Sequence, residues 1–222
     1  MKLYIVATPI GNLKDITLRA LEILKEVDFI LCEDTRRTIK LLNHFSVKKP
    51  LISYHQHSKL QKIEQIISLL KSGKNLALVS DAGTPGVSDP GNKLIEEVLK
   101  RLPETEIITI PGPSTLAALL SISGIPTDRF LFLGFLPAKK KRKTVLKKIA
   151  EAEYPVVFFE SPYKILKTLK ELAELNADLK AIVAKELTKM FEKVYRGVIG
   201  DVMREIEKEK VRGEYSVMIY ST

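Results

Sequence analysis

One stretch constrains the fold more than any other: residues 76–92, Leu-Ala-Leu-Val-Ser-Asp-Ala-Gly-Thr-Pro-Gly-Val-Ser-Asp-Pro-Gly-Asn. Its first four residues are apolar and long enough for a buried strand. Ser80-Asp81-Ala82-Gly83-Thr84-Pro85-Gly86 then favours no regular element. A helical pattern resumes at Lys93, with Leu94, Ile95, Val98 and Leu99 at helical spacing. The stretch therefore reads as strand, glycine-rich turn, helix. In open α/β sheets, ligands bind where such turns leave the carboxyl ends of strands. Gly83 and Gly86 permit dihedrals and close approaches that a Cβ blocks, and Ser80 and Asp81 put a hydroxyl and a carboxylate at the strand tip. An ordinary βα connection is also rich in Gly, Pro and Asp, but it is short; the length of this one favours a binding role.

The same unit recurs. Residues 2–7 read as a strand that ends in Thr8-Pro9-Ile10-Gly11-Asn12, with a helix after Asp15 as candidate N-cap. Residues 106–110 read as a strand that ends in Pro111-Gly112-Pro113-Ser114, before an apolar helix over 116–122. Between them, strand 29–32 runs into Glu33-Asp34-Thr35-Arg36-Arg37, a charged tip that also suits a helix start capped by Asp34 or Thr35. A short strand ending at Tyr54 leads to the loop His55-Gln56-His57-Ser58 and a helix over 59–71. This alternation across residues 1–122 predicts a largely parallel sheet with right-handed crossovers.

The character changes after Gly124. An aromatic-rich strand over 130–135 opens a new sheet, and Lys139-Lys140-Lys141-Arg142-Lys143 opens a helix over 139–150. Strand 155–159 ends in Glu160-Ser161-Pro162-Tyr163, and strand 181–184 ends in Lys185-Glu186-Leu187-Thr188-Lys189. Helices are predicted over 164–174 and 201–208, with a last strand over 216–220. The chain thus reads as two α/β domains, 1–115 and 116–222.

Composition bounds the function. The 222 residues are 45% hydrophobic, enough for two cores. No apolar run reaches the length of a membrane span, and the first strand begins too early for a signal peptide, so a cytoplasmic protein is expected. A single cysteine and three histidines supply no metal cluster; His55 and His57 fit a substrate-facing loop better than a zinc site. The net charge of +9 favours an anionic partner. Its densest source, the run 139–143, reads equally as a phosphate-contacting patch or as a solvated helix start.

The loops together resemble one family. Tyr4-Ile5-Val6-Ala7-Thr8-Pro9-Ile10-Gly11-Asn12-Leu13, Glu33-Asp34-Thr35-Arg36, Ser53-Tyr54-His55, Ser80-Asp81-Ala82-Gly83-Thr84-Pro85, Pro111-Gly112-Pro113-Ser114, Gly124-Ile125-Pro126-Thr127-Asp128, Gly134-Phe135-Leu136-Pro137, Phe159-Glu160-Ser161-Pro162 and Glu186-Leu187-Thr188-Lys189 occur in that order. They resemble the ribosomal small-subunit RNA methyltransferase I family, within the tetrapyrrole-methylase superfamily, over residues 3–220. The resemblance implies two α/β domains of the tetrapyrrole-methylase type with the cofactor cleft between them. It also implies a homodimer that uses S-adenosylmethionine to methylate a ribose 2′-hydroxyl of a cytidine in 16S rRNA of the 30S subunit. Better-known members carry a further C-terminal segment, and Phe159 stands where the family often has tyrosine.

By that resemblance Pro9, Ser80, Asp81, Ala82, Gly83, Thr84, Val87, Ser114, Thr115, Phe159 and Leu187 surround the cofactor. Methyl transfer to a hydroxyl is an in-line displacement that demands alignment and a base or polarising partner. Glu33, Asp34, Lys185 and Glu186 are the candidate catalytic groups, and the sequence does not choose between them. Arg36, Arg37 and Lys189 are natural phosphate partners, joined by His55 and by Lys139, Lys140, Lys141, Arg142 and Lys143 as candidate RNA contacts. Tyr54 or Tyr163 offers a stacking surface, and each fits core packing with an exposed hydroxyl at least as well. The charged tip 33–36 has no Gly or Pro and is expected on the RNA side of the site, away from the cofactor. Two other classes share features: a small-molecule methylase acting on a tetrapyrrole, which needs no lysine run, and a non-catalytic RNA-binding protein, which needs no Gly/Pro loop set.

Overall fold

The computed structural model describes residues 1–55 and 60–221. His57 and Ser58 of the expected substrate-facing loop, and Lys59 at the expected helix start, lie outside the described residues. The chain divides into two compact units, Met1–Ser114 and Thr115–Thr222.

The first unit contains β1 (Lys2–Val6), α1 (Leu18–Glu26), β2 (Phe29–Cys32), α2 (Thr35–His44), β3 (Leu51–Ser53), α3 (Leu60–Lys71), β4 (Leu76–Val79), α4 (Asn92–Arg101) and β5 (Glu106–Ile110). Its sheet has the order β3-β2-β4-β1-β5, and every pair is parallel. Both faces are covered, which explains why β4 is apolar at all four positions. Leu76 and Leu78 pack with Ile63, Ile66, Leu94 and Val98 of α3 and α4. Ala77 and Val79 pack on the opposite face with Ala20, Leu24 and Leu42 of α1 and α2. The period-two alternation of a strand thus feeds two cores. Because β1 and β4 are neighbours whose following helices lie on opposite faces, a crevice opens at their carboxyl ends.

The helix after β1 begins later than its sequence pattern predicts. Asp15 sits in a single 3-10 turn, Leu13–Asp15, and Thr17 is the N-cap of α1, its hydroxyl accepting from Ala20 N–H at 3.1 Å.

The second unit contains α5 (Thr115–Ser121), β6 (Leu131–Phe135), α6 (Arg142–Ala150), β7 (Val156–Glu160), α7 (Ile165–Leu175), β8 (Lys180–Lys185), β9 (Lys193–Val198), α8 (Ile199–Glu207) and β10 (Tyr215–Tyr220). Its sheet runs β6-β7-β10-β8-β9, with β6 and β7 parallel and all other pairs antiparallel. Leu146, Leu169, Leu172, Val202 and Ile206 of α6, α7 and α8 cover Phe158, Val183 and Val217 on one face. The basic run opens α6 three residues later than its pattern predicts, because Lys141 takes a left-handed conformation (φ 64°) that no helix continues through. Among the described residues no helix is long and apolar enough to cross a membrane.

Candidate active site

Three strand tips of the first unit are laced together through backbone. Thr8 and Gly83 exchange N–H···O bonds of 2.9 Å in each direction, joining the tips of β1 and β4. Gly83 holds φ 82°, and a Cβ there would come within 3.3 Å of the Ile10 side chain, so only glycine keeps this bridge unstrained. Thr84 donates its hydroxyl to the Pro113 carbonyl at 3.1 Å, which ties in the tip of β5. Ser80 donates to the carbonyls of Ala82 and Gly83, and Thr8 donates to the carbonyl of Ser80. Of the expected cofactor residues here, Pro9, Ser80 and Gly83 are buried parts of this frame, and Thr84 is bound into it. Asp81, Ala82, Val87 and Ser114 retain surface for a ligand.

The charged tip after β2 is bonded to the same frame. The Asp81 carboxylate accepts from Asp34 N–H at 3.0 Å and pairs with Arg37 at 3.4 Å. The tips of β2 and β4 are thus joined through the Asp81 carboxylate. Asp34 is the N-cap of α2, accepting from Arg36 N–H at 2.9 Å and pairing with the Arg36 guanidinium at 2.6 Å. The side chain of Arg36, and then its N–H, hold the Asp34 carboxyl down to about 2. Glu33 moves the other way. Burial and the neighbouring charge of Asp81 raise it, against weaker opposition from His55 and Arg37.

One titratable group here was not singled out from sequence. Asp89, between the turn and α4, is raised to about 6 by burial, with Glu33 and Asp81 adding to the effect and a hydrogen bond from Ser80 opposing it. Its signal was its place in the long loop of 76–92. Two cavities lie at these strand tips, the second of them bordered by Asp89. One of about 170 Å³ is lined by Thr8, Pro9, Arg37, Thr38, Ser80 and Asp81. The other, about 450 Å³, is lined by Tyr54, Asp89, Pro90, Asn92, Lys93 and Glu96, among others. Tyr54 is 2% exposed and packed with Ile63 and Leu94, so it offers no stacking face, whereas Tyr163 stands 95% exposed.

In the second unit, Phe159 lies edge-on to Phe132 and Phe135, with ring centroids 5.2 and 5.5 Å away. Leu187 is buried and Thr115 opens α5. Lys185 is buried beside the Glu209 carboxylate at 3.2 Å and donates to the Lys210 carbonyl. Glu186, in the left-handed region at φ 54°, accepts at 2.9 Å from both Lys189 and Glu214 N–H. Burial works to raise the Glu186 carboxyl, but these donors outweigh it and the net direction is downward. Lys189 also pairs with Glu214 at 3.0 Å. Lys185, Glu186 and Lys189 thus tie the loop after β8 to the segment that precedes β10.

Arg142 is likewise corrected. It is 7% exposed, with its guanidinium donating to Glu171 at 2.7 Å and Thr168 at 2.8 Å and facing Glu160 at 3.7 Å. Lys139, Lys140, Lys141 and Lys143 are exposed. Among the described residues, no group of three or more His, Cys, Asp and Glu is arranged to hold a metal ion.

Residues 2–203 match the family model described as Tetrapyrrole (Corrin/Porphyrin) Methylases. The protein named "Ribosomal RNA small subunit methyltransferase I" in Thermotoga maritima is 46% identical, over 98% of this chain and 97% of its own length. Its namesake in Hydrogenobaculum sp. is 44% identical over 99% of this chain and 95% of its own. Among solved structures, uroporphyrin-III C-methyl transferase from Thermus thermophilus, complexed with S-adenyl homocysteine, matches with a TM-score of 0.67. It is 16% identical and covers 99% of this chain and 97% of that one, a likeness of fold.

Proposed function

This chain belongs to the tetrapyrrole methylase family, and from that premise we propose that it methylates the 2′-hydroxyl of a cytidine in 16S rRNA, using S-adenosylmethionine, as a cytoplasmic homodimer acting on the 30S subunit. The carrying observation is the 46% identity to a ribosomal RNA small subunit methyltransferase I across 98% of the chain, both units included.

The residues present fit such a cofactor. Its cationic and polar ends call for a carboxylate and open backbone, and its adenosine calls for apolar surface. Asp81, held by Arg37 and by Asp34 N–H, supplies the first on a frame whose geometry is set before a ligand arrives. Gly83 keeps that frame free of a side chain, and Val87 of the same unit supplies apolar surface. When bound, S-adenosylmethionine supplies an electrophilic methyl group.

Of the four candidate bases, Glu33 suits the role. Burial and the Asp81 charge raise its carboxyl from the ordinary range, the direction that strengthens a base. Asp34 is held down to about 2, and Lys185 and Glu186 are engaged elsewhere. Glu33 accepts the proton of the ribose hydroxyl as the nucleophile forms. Arg36 and Arg37 lie beside it as phosphate partners, and Lys139, Lys140, Lys141 and Lys143 give a wider anion-binding surface. These lysines flank the start of α6, whose first turn carries no acidic residue. Cations are unfavourable at a helix N-terminus, so their placement is better explained by an anionic partner than by helix stability.

Incubation with methyl-labelled S-adenosylmethionine tests the reading. The protein is given 30S subunits in one arm and a precorrin in the other, and the RNA is digested to nucleosides. Label in 2′-O-methylcytidine is the expected result. Label only in the tetrapyrrole overturns the substrate assignment.

A further inference from the structure

Segment 186–192, between β8 and β9, holds two neighbouring apolar side chains in water: Met190 is 90% exposed and Phe191 61%. The segment is ordered by its own bonds. Lys189 N–H donates to the Glu186 carbonyl at 3.0 Å, Glu192 N–H to the Lys189 carbonyl at 3.1 Å, and Thr188 N–H to the Glu192 carboxylate. Glu186 and Thr188 both take left-handed backbone, a rare state for a β-branched residue. Exposed apolar side chains on a fixed backbone mark an interaction surface.

Beside them lies a cavity of about 680 Å³, bounded on its far side by residues 209–213, within the size range of small-ligand sites. The charges on its rim can be accounted for one by one. Glu186 is engaged by Lys189 and Glu214 N–H, Glu192 by Thr188 N–H, and Glu209 by Lys185, Lys193 and Tyr195. Among the described residues, Lys210 and Arg212 have no carboxylate partner. The Arg212 guanidinium lies over the Phe191 ring, 5.3 Å from its centroid.

We propose that this cavity is a nucleotide subsite in which the base of a single-stranded RNA residue stacks on Phe191 beside Arg212, while Lys210 and Arg212 take its phosphate. An aromatic ring paired with a guanidinium accepts the π-face of any base, and two unmatched cations suit the adjoining backbone. A second copy of the chain fits less well, since interface cores are depleted in lysine and one apolar pair is far short of a stable interface. The subsite rests on the RNA reading above and deepens it, because it names a contact of the second unit with the RNA strand.

Fluorescence anisotropy with a labelled single-stranded RNA dodecamer of mixed sequence tests it. Phe191→Ala and Phe191→Leu should each weaken binding by about tenfold or more, and Phe191→Trp should bind as wild type does. Joint Lys210→Gln and Arg212→Gln should lower the logarithmic salt slope by about 1.4, at ~0.7 per contact. Urea midpoints and S-adenosylmethionine affinity should stay at wild-type values, since Phe191 is exposed. Equal RNA affinity in Phe191→Ala and wild type, or no binding by wild type, overturns the subsite. So does loss of a dimer by Phe191→Ala in sedimentation with RNA affinity retained, which would assign the surface to a second copy. Methylation of 30S subunits by wild type is read separately: if it occurs while Phe191→Ala binds RNA normally, the subsite alone fails.

Discussion

Glu33, Asp34 and Asp89 behave differently because of what each touches. Glu33→Gln should reduce turnover on 30S subunits by about 10²- to 10⁴-fold, as expected for loss of a positioned base, with S-adenosylmethionine affinity retained. Asp34→Asn should stay active, because asparagine caps a helix as well as aspartate does and the Arg36 pair it loses is exposed. The reverse pattern in single-turnover assays would move the base to Asp34. Asp89 offers a stability test. An unfolded aspartate titrates near 3.8 and this one near 6, so the folded state binds the proton more tightly. Below pH 3.8 both states are protonated and the group contributes nothing. Between 3.8 and 6 the unfolded state gives up its proton first, and above 6 the full destabilisation stands. Asp89→Asn should therefore raise the urea midpoint at pH 8 and hardly change it at pH 4; an equal effect at both pH values would contradict the shift. The residue types of the site were legible in sequence, since Gly, Pro, Ser and Asp interrupt apolar strands at fixed places. Their partners were less so. Arg36 on Asp34 is a contact two residues long, whereas Arg37 on Asp81 depends on the sheet order that brings β2 beside β4.

At the scale of elements, the basic run separates into two functions that sequence alone could not divide. Its length and charge were plain, but the left-handed turn at Lys141 and the inward course of Arg142 depend on Glu160, Thr168 and Glu171, which lie 18 to 29 positions downstream. Removing one member of such a buried network leaves charge uncompensated, at a cost of roughly 3–5 kcal/mol. Arg142→Gln should thus lower the urea midpoint strongly and leave the RNA salt slope of the folded protein unchanged. Replacing Lys139, Lys140, Lys141 and Lys143 with Gln should do the opposite, flattening the slope with little change in stability. If the lysine variant keeps the wild-type slope, these side chains are only a solvated helix start. Elsewhere the strand–turn–helix units were readable because each parallel strand is mostly apolar, β2 and β4 throughout, and each tip is not. Whether Tyr54 stacks or packs in the core was open in the sequence, because a three-residue strand carries too little alternation to show which way the next side chain points.

For the whole molecule, the net charge of +9 is less informative than which cations lack partners. Lys74 is matched by Asp28, Arg101 by Glu64, Arg142 by Glu171, Lys185 and Lys193 by Glu209, and Lys189 by Glu186. Lys139, Lys140, Lys141, Lys143, Lys210 and Arg212 of the second unit have no ion pair among the described residues, and neither do Lys14, Arg19, Lys25, Lys48 and Lys49 of the first. If the six groups of the second unit each contact a phosphate, counterion release sets a logarithmic salt slope of about 4 to 5, at ~0.7–0.9 per contact. Raising salt from about 50 to about 200 mM should then weaken association with 30S subunits by about three powers of ten. S-adenosylmethionine releases no condensed counterions, so its affinity should change little over the same range. Filter binding of 30S subunits and calorimetry of the cofactor, run across one salt series, measure both. A flat response for the subunits would mean that the unpartnered cations of the second unit do not face RNA, and that the +9 is a property of solubility alone.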